Sequence, residues 1–380
     1  MKTKYTIRQN CIFCNNPLTA TYFETDYKCS VGHFTVEIGD ESNEEIPYNV
    51  YICNKCNTPQ IKYLGDLNEI YRVNHADSTG TIMMELHEKM SNILLNHKPD
   101  IHNIIEIGSS RGVLADLVLS KLDNTIYNII EPCFFGDTSN KVIYNDFYEN
   151  IDDTKIDANT LVISHVFEHF YEPLIVLDKI YNNPKIENFI LAFPDLEYYI
   201  NNNVLHVLNT EHTYYVDNAF LIEIIKRFGF DLIEQHDHYN HSVIFYFKRA
   251  SKLLIQDQIM NLKNQKFSLD KFYNTIFNNV DKINTILDEH KDHNIYLWPA
   301  SIHCLFLFIF GLKNNITGFL DNSKKKENQI LYGTNKKIHS FNKIINDNNQ
   351  NTILILNGGV FSAEVKSSLD IANNIKYHIL

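Results

Sequence analysis

Four thiols in two short pairs, Cys11-Ile12-Phe13-Cys14 and Cys53-Asn54-Lys55-Cys56, form the first group of residues in this chain with evident chemistry. Each pair presents two sulfurs from a tight turn. Two such turns facing each other supply the tetrahedral set of thiolates that zinc prefers. His33 lies between the pairs and is a competing ligand. Four sulfurs leave no position open for water or substrate, so such a metal folds the segment and does no chemistry. A redox C-x-x-C would open a helix in a thioredoxin-like βαβ unit, and neither pair has that setting. The chain has seven cysteines, and an odd count in a cytosolic protein argues against a disulfide framework.

A second group reads Ile104-Ile105-Glu106-Ile107-Gly108-Ser109-Ser110-Arg111-Gly112, a strand entering a glycine turn and then a helix. Gly108 permits the sharp turn and Gly112 close packing of the helix. Neither G-x-G-x-x-G nor a Lys-Ser/Thr phosphate loop is present. The spacing Glu106-x-Gly108-x-x-x-Gly112 instead resembles that of S-adenosylmethionine enzymes with a doubly wound fold. That cofactor ends in a zwitterion, which a carboxylate suits better than a phosphate cradle does. Glu131 ends the next strand, where an acid can hydrogen-bond both ribose hydroxyls. In Asn145-Asp146-Phe147, Asp146 offers a polar contact and Phe147 an apolar face for adenine.

The third group is histidine-rich: Ser164-His165-Val166-Phe167-Glu168-His169, and later Thr210-Glu211-His212-Thr213-Tyr214-Tyr215. Residues just past strand C-termini face the ligand crevice of a doubly wound sheet. His165 and His169 share one face if their segment is helical. Methyl transfer is an in-line displacement that needs positioning and a base for the acceptor's proton. Imidazole, with a reference pKa of about 6.5, suits that task. His212 is the expected base, Glu211 its neighbour or a substrate anchor, and His169 the residue that holds the acceptor. His165 is a further substrate contact. Tyr214 and Tyr215 read as core or pocket wall. Since the chain holds 17 histidines, several must be ordinary surface or core residues.

These groups need elements to hold them. Residues 1–66 read as a zinc-binding segment with strand-like pieces at 19–23 and 48–52. Residues 67–250 read as a helical lead-in, with helical spacing over 82–95, followed by alternating strands and helices. The strands fall at 104–107, 127–130, 161–164 and 189–193. Apolar strands alternating with helices imply a mostly parallel sheet covered on both faces. Residues 252–290 read as a long helical connector. The unit 251–380 ends in a second, smaller α/β domain with strands at 294–297, 316–320 and 352–356. The fold class is therefore α/β, with a Rossmann-like central domain.

The formal net charge of −12 and the lack of a basic stripe argue against nucleic acid as partner. No apolar run follows the N-terminal lysines, so no signal peptide is expected. The most apolar stretch, 304–312, is too short to cross a bilayer. A soluble, cytoplasmic protein without membrane insertion is expected.

Taken in order, the motifs resemble the sugar methyltransferases typified by nucleotide-linked deoxysugar C-methyltransferases. The resemblance covers nearly the whole chain. It includes both cysteine pairs, the Glu106–Gly112 loop, Glu211-His212, and Gly318-Phe319-Leu320-Asp321-Asn322-Ser323 through Leu331-Tyr332-Gly333-Thr334. It implies a class I S-adenosylmethionine-dependent methyltransferase with structural Zn2+, a catalytic base in the Glu211-His212 pair and a nucleotide-sugar substrate in glycan, capsule or lipopolysaccharide synthesis. The chain departs from the family in three places. His165-x-x-x-His169 stands where the C-methylating members carry Asn-x-x-x-His. Asn209 replaces a tyrosine. Tyr71-Arg72-Val73-Asn74-His75-Ala76-Asp77 replaces a tyrosine-rich lead-in, which makes Asn74 and His75 pocket candidates. The acceptor pocket is thus rebuilt, and the acceptor atom can be carbon, oxygen or nitrogen. The C-terminal unit opens Leu297-Trp298-Pro299-Ala300-Ser301 without the relatives' glycine, so no second nucleotide site is expected there. The competing readings are a non-catalytic scaffold of the same fold and a methyltransferase acting on another small molecule.

Overall fold

The computed structural model describes residues 5–19, 21–30, 35–36, 45–71, 80–122, 124–208, 210–250, 269–332, 334–342, 351–356 and 376–379. His33, Asn74, His75 and Asn209 lie outside the described residues.

Among the described residues the N-terminal segment has six strands: β1 (Tyr5–Ile7), β2 (Thr21–Ser30), β3 (Thr35–Val36), β4 (Glu45–Ile52), β5 (Pro59–Ile61) and β6 (Tyr63–Gly65). β2, β4 and β5 form an antiparallel sheet, and β1 pairs with β6. Helix α1 (Leu67–Ile70) starts at Asp66, whose carboxylate accepts from Asn68 N–H. Helix α2 (Thr81–Asn96) buries Leu86, Met90, Ile93 and Leu94 on one face, the spacing expected of an amphipathic helix.

The central unit then runs β7 (Ile104–Ile107), α3 (Val113–Leu119), β8 (Tyr127–Ile130), β9 (Lys141–Tyr144), β10 (Thr160–Ser164), α4 (Pro173–Asn182), β11 (Asn188–Pro194), α5 (Leu196–Asn201), α6 (Asn218–Arg227), β12 (Phe230–His238) and β13 (Ser242–Arg249). The sheet order is β12-β13-β11-β10-β7-β8-β9. Numbered by appearance within the unit, this is 6-7-5-4-1-2-3, with the seventh strand antiparallel to its neighbours. That order and direction are those of the class I S-adenosylmethionine methyltransferase fold. β7 is buried along its whole length, as a strand covered on both faces must be. The strand order reverses between β7 and β10, which places the binding crevice beyond their C-terminal ends.

The antiparallel hairpin β12–β13 was not part of the alternating pattern read from the sequence. β12 has one solvated face and alternates in burial, the signature of an edge strand. Tyr239 and Asn240 close it with φ of 52° and 56°, the two positive values of a type I′ turn. This turn delivers His241 and Ser242 to the end of the sheet nearest the crevice.

Helix α7 (Leu269–Glu289) leads to a second sheet built from β14 (Asn294–Trp298), β15 (Gly318–Asp321), β16 (Ile330–Leu331), β17 (Lys336–Ser340), β18 (Thr352–Leu356) and β19 (Lys376–Ile379). Helix α8 (Ile302–Ile309) follows β14 and is buried from His303 on, in keeping with the apolar run that starts at Cys304. Strands β19, β18, β14, β15 and β17 are parallel neighbours, and antiparallel β16 extends the edge. β3 of the N-terminal segment pairs with β16 and so becomes the outermost strand of this sheet. No helix among the described residues is long and apolar enough to cross a membrane.

Candidate active site

A cavity of about 440 Å³ opens at the C-terminal ends of β7, β8 and β10. Its walls come from the turns after those strands, from the Tyr71 region and from the Glu211-His212 loop. Two parts with different chemistry share this space.

The first part is the turn after β7. Gly108 has φ +75°, and a Cβ there would lie 2.2 Å from Val166 Cγ2, so no other residue fits between the first and fourth strand ends. The Ser110 N–H donates to Glu131 Oε2 at 3.1 Å and the Cys133 N–H to Oε1 at 3.1 Å. Two backbone donors therefore fix the Glu131 carboxylate at the cavity wall. Glu106 lies deeper and is 3% exposed, with Oε2 lacking a hydrogen-bond partner among the described residues. Burial pushes its carboxyl up to about 7, although Ser109 and Tyr127 favour the charged form. Phe147 lines the cavity and meets the Tyr71 ring edge-on at 6.0 Å.

Two residues expected at the cofactor do not line the cavity. Asp146 Oδ1 instead accepts from Phe147 N–H and Asn150 Nδ2, both at 2.7 Å, and so caps its own turn. Gly112 is the N-cap of α3 at φ 77°, where its part is conformational: a Cβ would press on Phe134 and Lys141 at 3.4 Å.

The second part is a ring of imidazoles around Glu168. His165 and His169 do not share a helical face, because residues 167–169 form a single 3-10 turn and His165 has φ 52°. They meet another way, by converging on the carboxylate between them. Glu168 Oε1 lies 3.5 Å from His165 Nδ1, 4.0 Å from His169 Nε2 and 3.9 Å from His212 Nε2. Burial alone would raise this carboxyl, but the three imidazoles more than offset that and hold it below the usual carboxylate range. His212 Nδ1 lies 3.0 Å from the Val207 carbonyl oxygen. A carbonyl only accepts, so Nδ1 carries the proton and Nε2 keeps a lone pair toward the cavity. Burial lowers the His212 pKa to about 4, so the ring is neutral near pH 7. His169 Nδ1 is 3.0 Å from Tyr71 Oη and 3.8 Å from Glu211 Oε2. Ser242 Oγ bridges His165 Nε2 at 2.7 Å and His241 Nδ1 at 2.6 Å.

Glu168, Tyr71, His241 and Ser242 belong to this constellation, and the sequence reading assigned none of them to the site. Glu168 carried a visible signal, a carboxylate set among apolar residues and flanked by histidines. The other three gave none, since tertiary structure alone brings them in.

The four cysteines of the N-terminal pairs converge in a separate cluster. Cys11 Sγ is 3.5 Å from Cys56 Sγ, and Cys14 Sγ is 3.4 Å from Cys53 Sγ. All four sulfurs lie within 4.8 Å of one another and all four residues are buried. The Cys11 thiol is pushed up chiefly by its contact with Cys56, and the Cys14 thiol to about 11 chiefly by burial. Sulfurs about 2.3 Å from a tetrahedral zinc stand roughly 3.8 Å apart, so the donor set and spacing fit that ion. This cluster is tied to the imidazole ring. Gln60 accepts from Ile12 N–H at 3.0 Å and donates to Cys11 Sγ at 3.1 Å. The backbone around Gln60 pairs with the stretch after His212: Ile61 N–H donates to Thr213 O and Tyr215 N–H to Pro59 O, both at 3.0 Å. Buried Arg8 adds a bond from Nη1 to Thr213 O at 2.7 Å. The cysteine cluster thus braces the loop that carries His212.

No family model and no curated protein matches this sequence. Several solved structures are similar to it. One is the 1,6-didemethyltoxoflavin-N1-methyltransferase of Burkholderia thailandensis, with bound 1,6-didemethyltoxoflavin and S-adenosylhomocysteine. It is 9% identical over 46% of this chain and 80% of that one, with TM-score 0.36. The N-terminal domain of EvdMO1, in the presence of S-adenosylhomocysteine and D-fucose, is 14% identical over 43% of this chain and 82% of that domain, with TM-score 0.32. Against the EvdMO1 structure that is not limited to this domain, the match spans 41% of that chain. The plantazolicin methyltransferase BpumL, in complex with a monoazolic desmethyl analogue and S-adenosylhomocysteine, is 10% identical over 45% of this chain and 84% of that one, with TM-score 0.37. The class I assignment rests on strand order and direction, and none of these likenesses bears on substrate or residue roles.

Proposed function

We propose that this chain is an S-adenosylmethionine-dependent methyltransferase whose acceptor is a sugar, carried on a nucleotide, in glycan, capsule or lipopolysaccharide synthesis. The observation that supports this reading most is that one cavity holds both the Gly108–Glu131 cradle and the neutral His212 imidazole. The cradle fits the cofactor: the Glu131 carboxylate is held for a ribose diol, the Phe147 ring for a base, and the unpartnered Glu106 oxygen for cationic charge. When bound, S-adenosylmethionine supplies an electrophilic methyl group. Glu131 and the turn after β7 orient the donor, and Tyr71, His169 and Glu211 line the space left for the acceptor. His212 takes the acceptor's proton at Nε2. Cys11, Cys14, Cys53 and Cys56 would hold Zn2+, which would brace the loop that aims this imidazole.

The test is incubation of the purified protein with isotopically labelled cofactor and a panel of nucleotide sugars, read by mass spectrometry. A labelled methyl on a sugar supports the reading. Cofactor binding in calorimetry with no sugar methylated moves the reading to another small molecule. No cofactor binding leaves the non-catalytic scaffold.

A further inference from the structure

Glu168 is fully buried, and neither of its carboxylate oxygens has a hydrogen-bond partner among the described residues. The three imidazoles offset its burial from 3.5–4.0 Å without making a hydrogen bond to it, and native structures pair such a carboxylate directly or give it a metal. Around it stand His169 Nε2 at 4.0 Å and His212 Nε2 at 3.9 Å from Oε1, and the three ligand atoms lie within 4.8 Å of one another. Donor atoms each about 2.1 Å from one transition-metal ion stand roughly 3–4 Å apart. The outer nitrogens are already engaged: His212 Nδ1 with Val207 O at 3.0 Å and His169 Nδ1 with Tyr71 Oη at 3.0 Å. The carbonyl fixes the His212 tautomer and leaves its inner lone pair for a metal, and the Tyr71 hydroxyl can accept from His169 Nδ1 and leave that ring's Nε2 lone pair free in the same way.

We infer that Glu168, His169 and His212 bind a divalent transition-metal cation, distinct from the ion of the cysteine cluster, and that this cation receives a hydroxyl of the acceptor. Two imidazoles and one carboxylate leave coordination positions open, as a catalytic site requires. The acceptor atom is then oxygen, because a cation acidifies a bound hydroxyl and has no such hold on carbon. The inference rests on the methyltransferase reading and revises one role in it: with the cation bound, His212 Nε2 is a ligand and not the base. The hydroxyl proton passes to His165 Nδ1 in the tautomer whose Nε2–H donates to Ser242 Oγ at 2.7 Å. The oxygen lone pair forms the new bond to the methyl carbon, the carbon–sulfur bond breaks, and its electron pair stays on sulfur as a neutral thioether.

The test is a titration with Co2+ of full-length protein whose cysteine site already carries Zn2+, followed by calorimetry and visible absorption. S-adenosylhomocysteine binding is measured in parallel. The wild type should bind one Co2+ without the thiolate charge-transfer bands of a sulfur site. Glu168→Gln should weaken it at least about tenfold while S-adenosylhomocysteine still binds. His169→Gln is the second variant, with the same expectation. No Co2+ bound by the wild type, or equal binding by both variants, overturns the metal site. S-adenosylhomocysteine binding in that case leaves the methyltransferase reading standing. Co2+ binding without S-adenosylhomocysteine binding would do the reverse.

Discussion

His212 donates through Nδ1 to the Val207 carbonyl at 3.0 Å, a bond that turns its other nitrogen toward the buried Glu168 carboxylate, 3.9 Å away. The bond makes the tautomer a property of the fold. It also makes the ring sensitive to anything that moves either the Val207 turn or the strand-like stretch after Thr213.

Replacing His212 with Asn should lower kcat by about 10²–10⁴-fold, whether its Nε2 serves as base or as ligand. Affinity for S-adenosylhomocysteine should be kept, since the cofactor cradle lies on other strands. Wild-type turnover in this variant would remove the imidazole from the mechanism.

Gly108→Ala should abolish cofactor binding and cost about 1–3 kcal/mol of stability, because it combines a positive φ with a clash against Val166. Calorimetry and thermal unfolding read the two effects separately. Gly80→Ala, where φ is −64° and nothing among the described residues lies within 4 Å, is the control and should leave both unchanged.

Cofactor affinity should rise with pH up to about 7 and level off above it. Burial raises the Glu106 carboxyl to about 7, so below that pH it is protonated in the free protein. A cationic ligand favours the ionised form, so binding releases a proton, with a slope of at most about one decade per pH unit. Glu106→Gln should flatten the profile. Calorimetry in buffers of different ionisation enthalpy counts the proton directly.

Cys53→Ser should lower the melting temperature and reduce kcat more than it reduces cofactor affinity. The route is the one traced above, from the cysteine cluster through Gln60 to the stretch after His212. Metal analysis should find zinc in the wild type and its loss in the variant. A cofactor affinity that falls as steeply as kcat would point to general unfolding instead.

Much of the central sheet was legible because its strands are continuous apolar runs between turn signals. Ile104–Ile107 and Tyr127–Ile130 coincide with their expected limits, and α2 extends its expected helix by one residue at each end. The cysteine cluster was legible from spacing alone. Of the Glu168 ring, His165, His169 and His212 were legible as candidates but their convergence was not: its members come from residues 71, 165–169, 212 and 241–242, and periodicity carries no information on distances between loops. Asp146 shows the opposite limit of sequence order. Its place after β9 suits a ligand contact, but its carboxylate has a nearer partner in its own turn.

The pairing of Thr35–Val36 with Ile330–Leu331 has a temporal consequence. On the ribosome, the second residue pair emerges long after the first, so the outer edge of the C-terminal sheet has to wait for most of translation. Contacts of such sequence separation form late and slowly. Removing residues beyond β15 should therefore leave β3 without its partner and the buried strand β15 with an open edge, a template for aggregation rather than a shorter working enzyme.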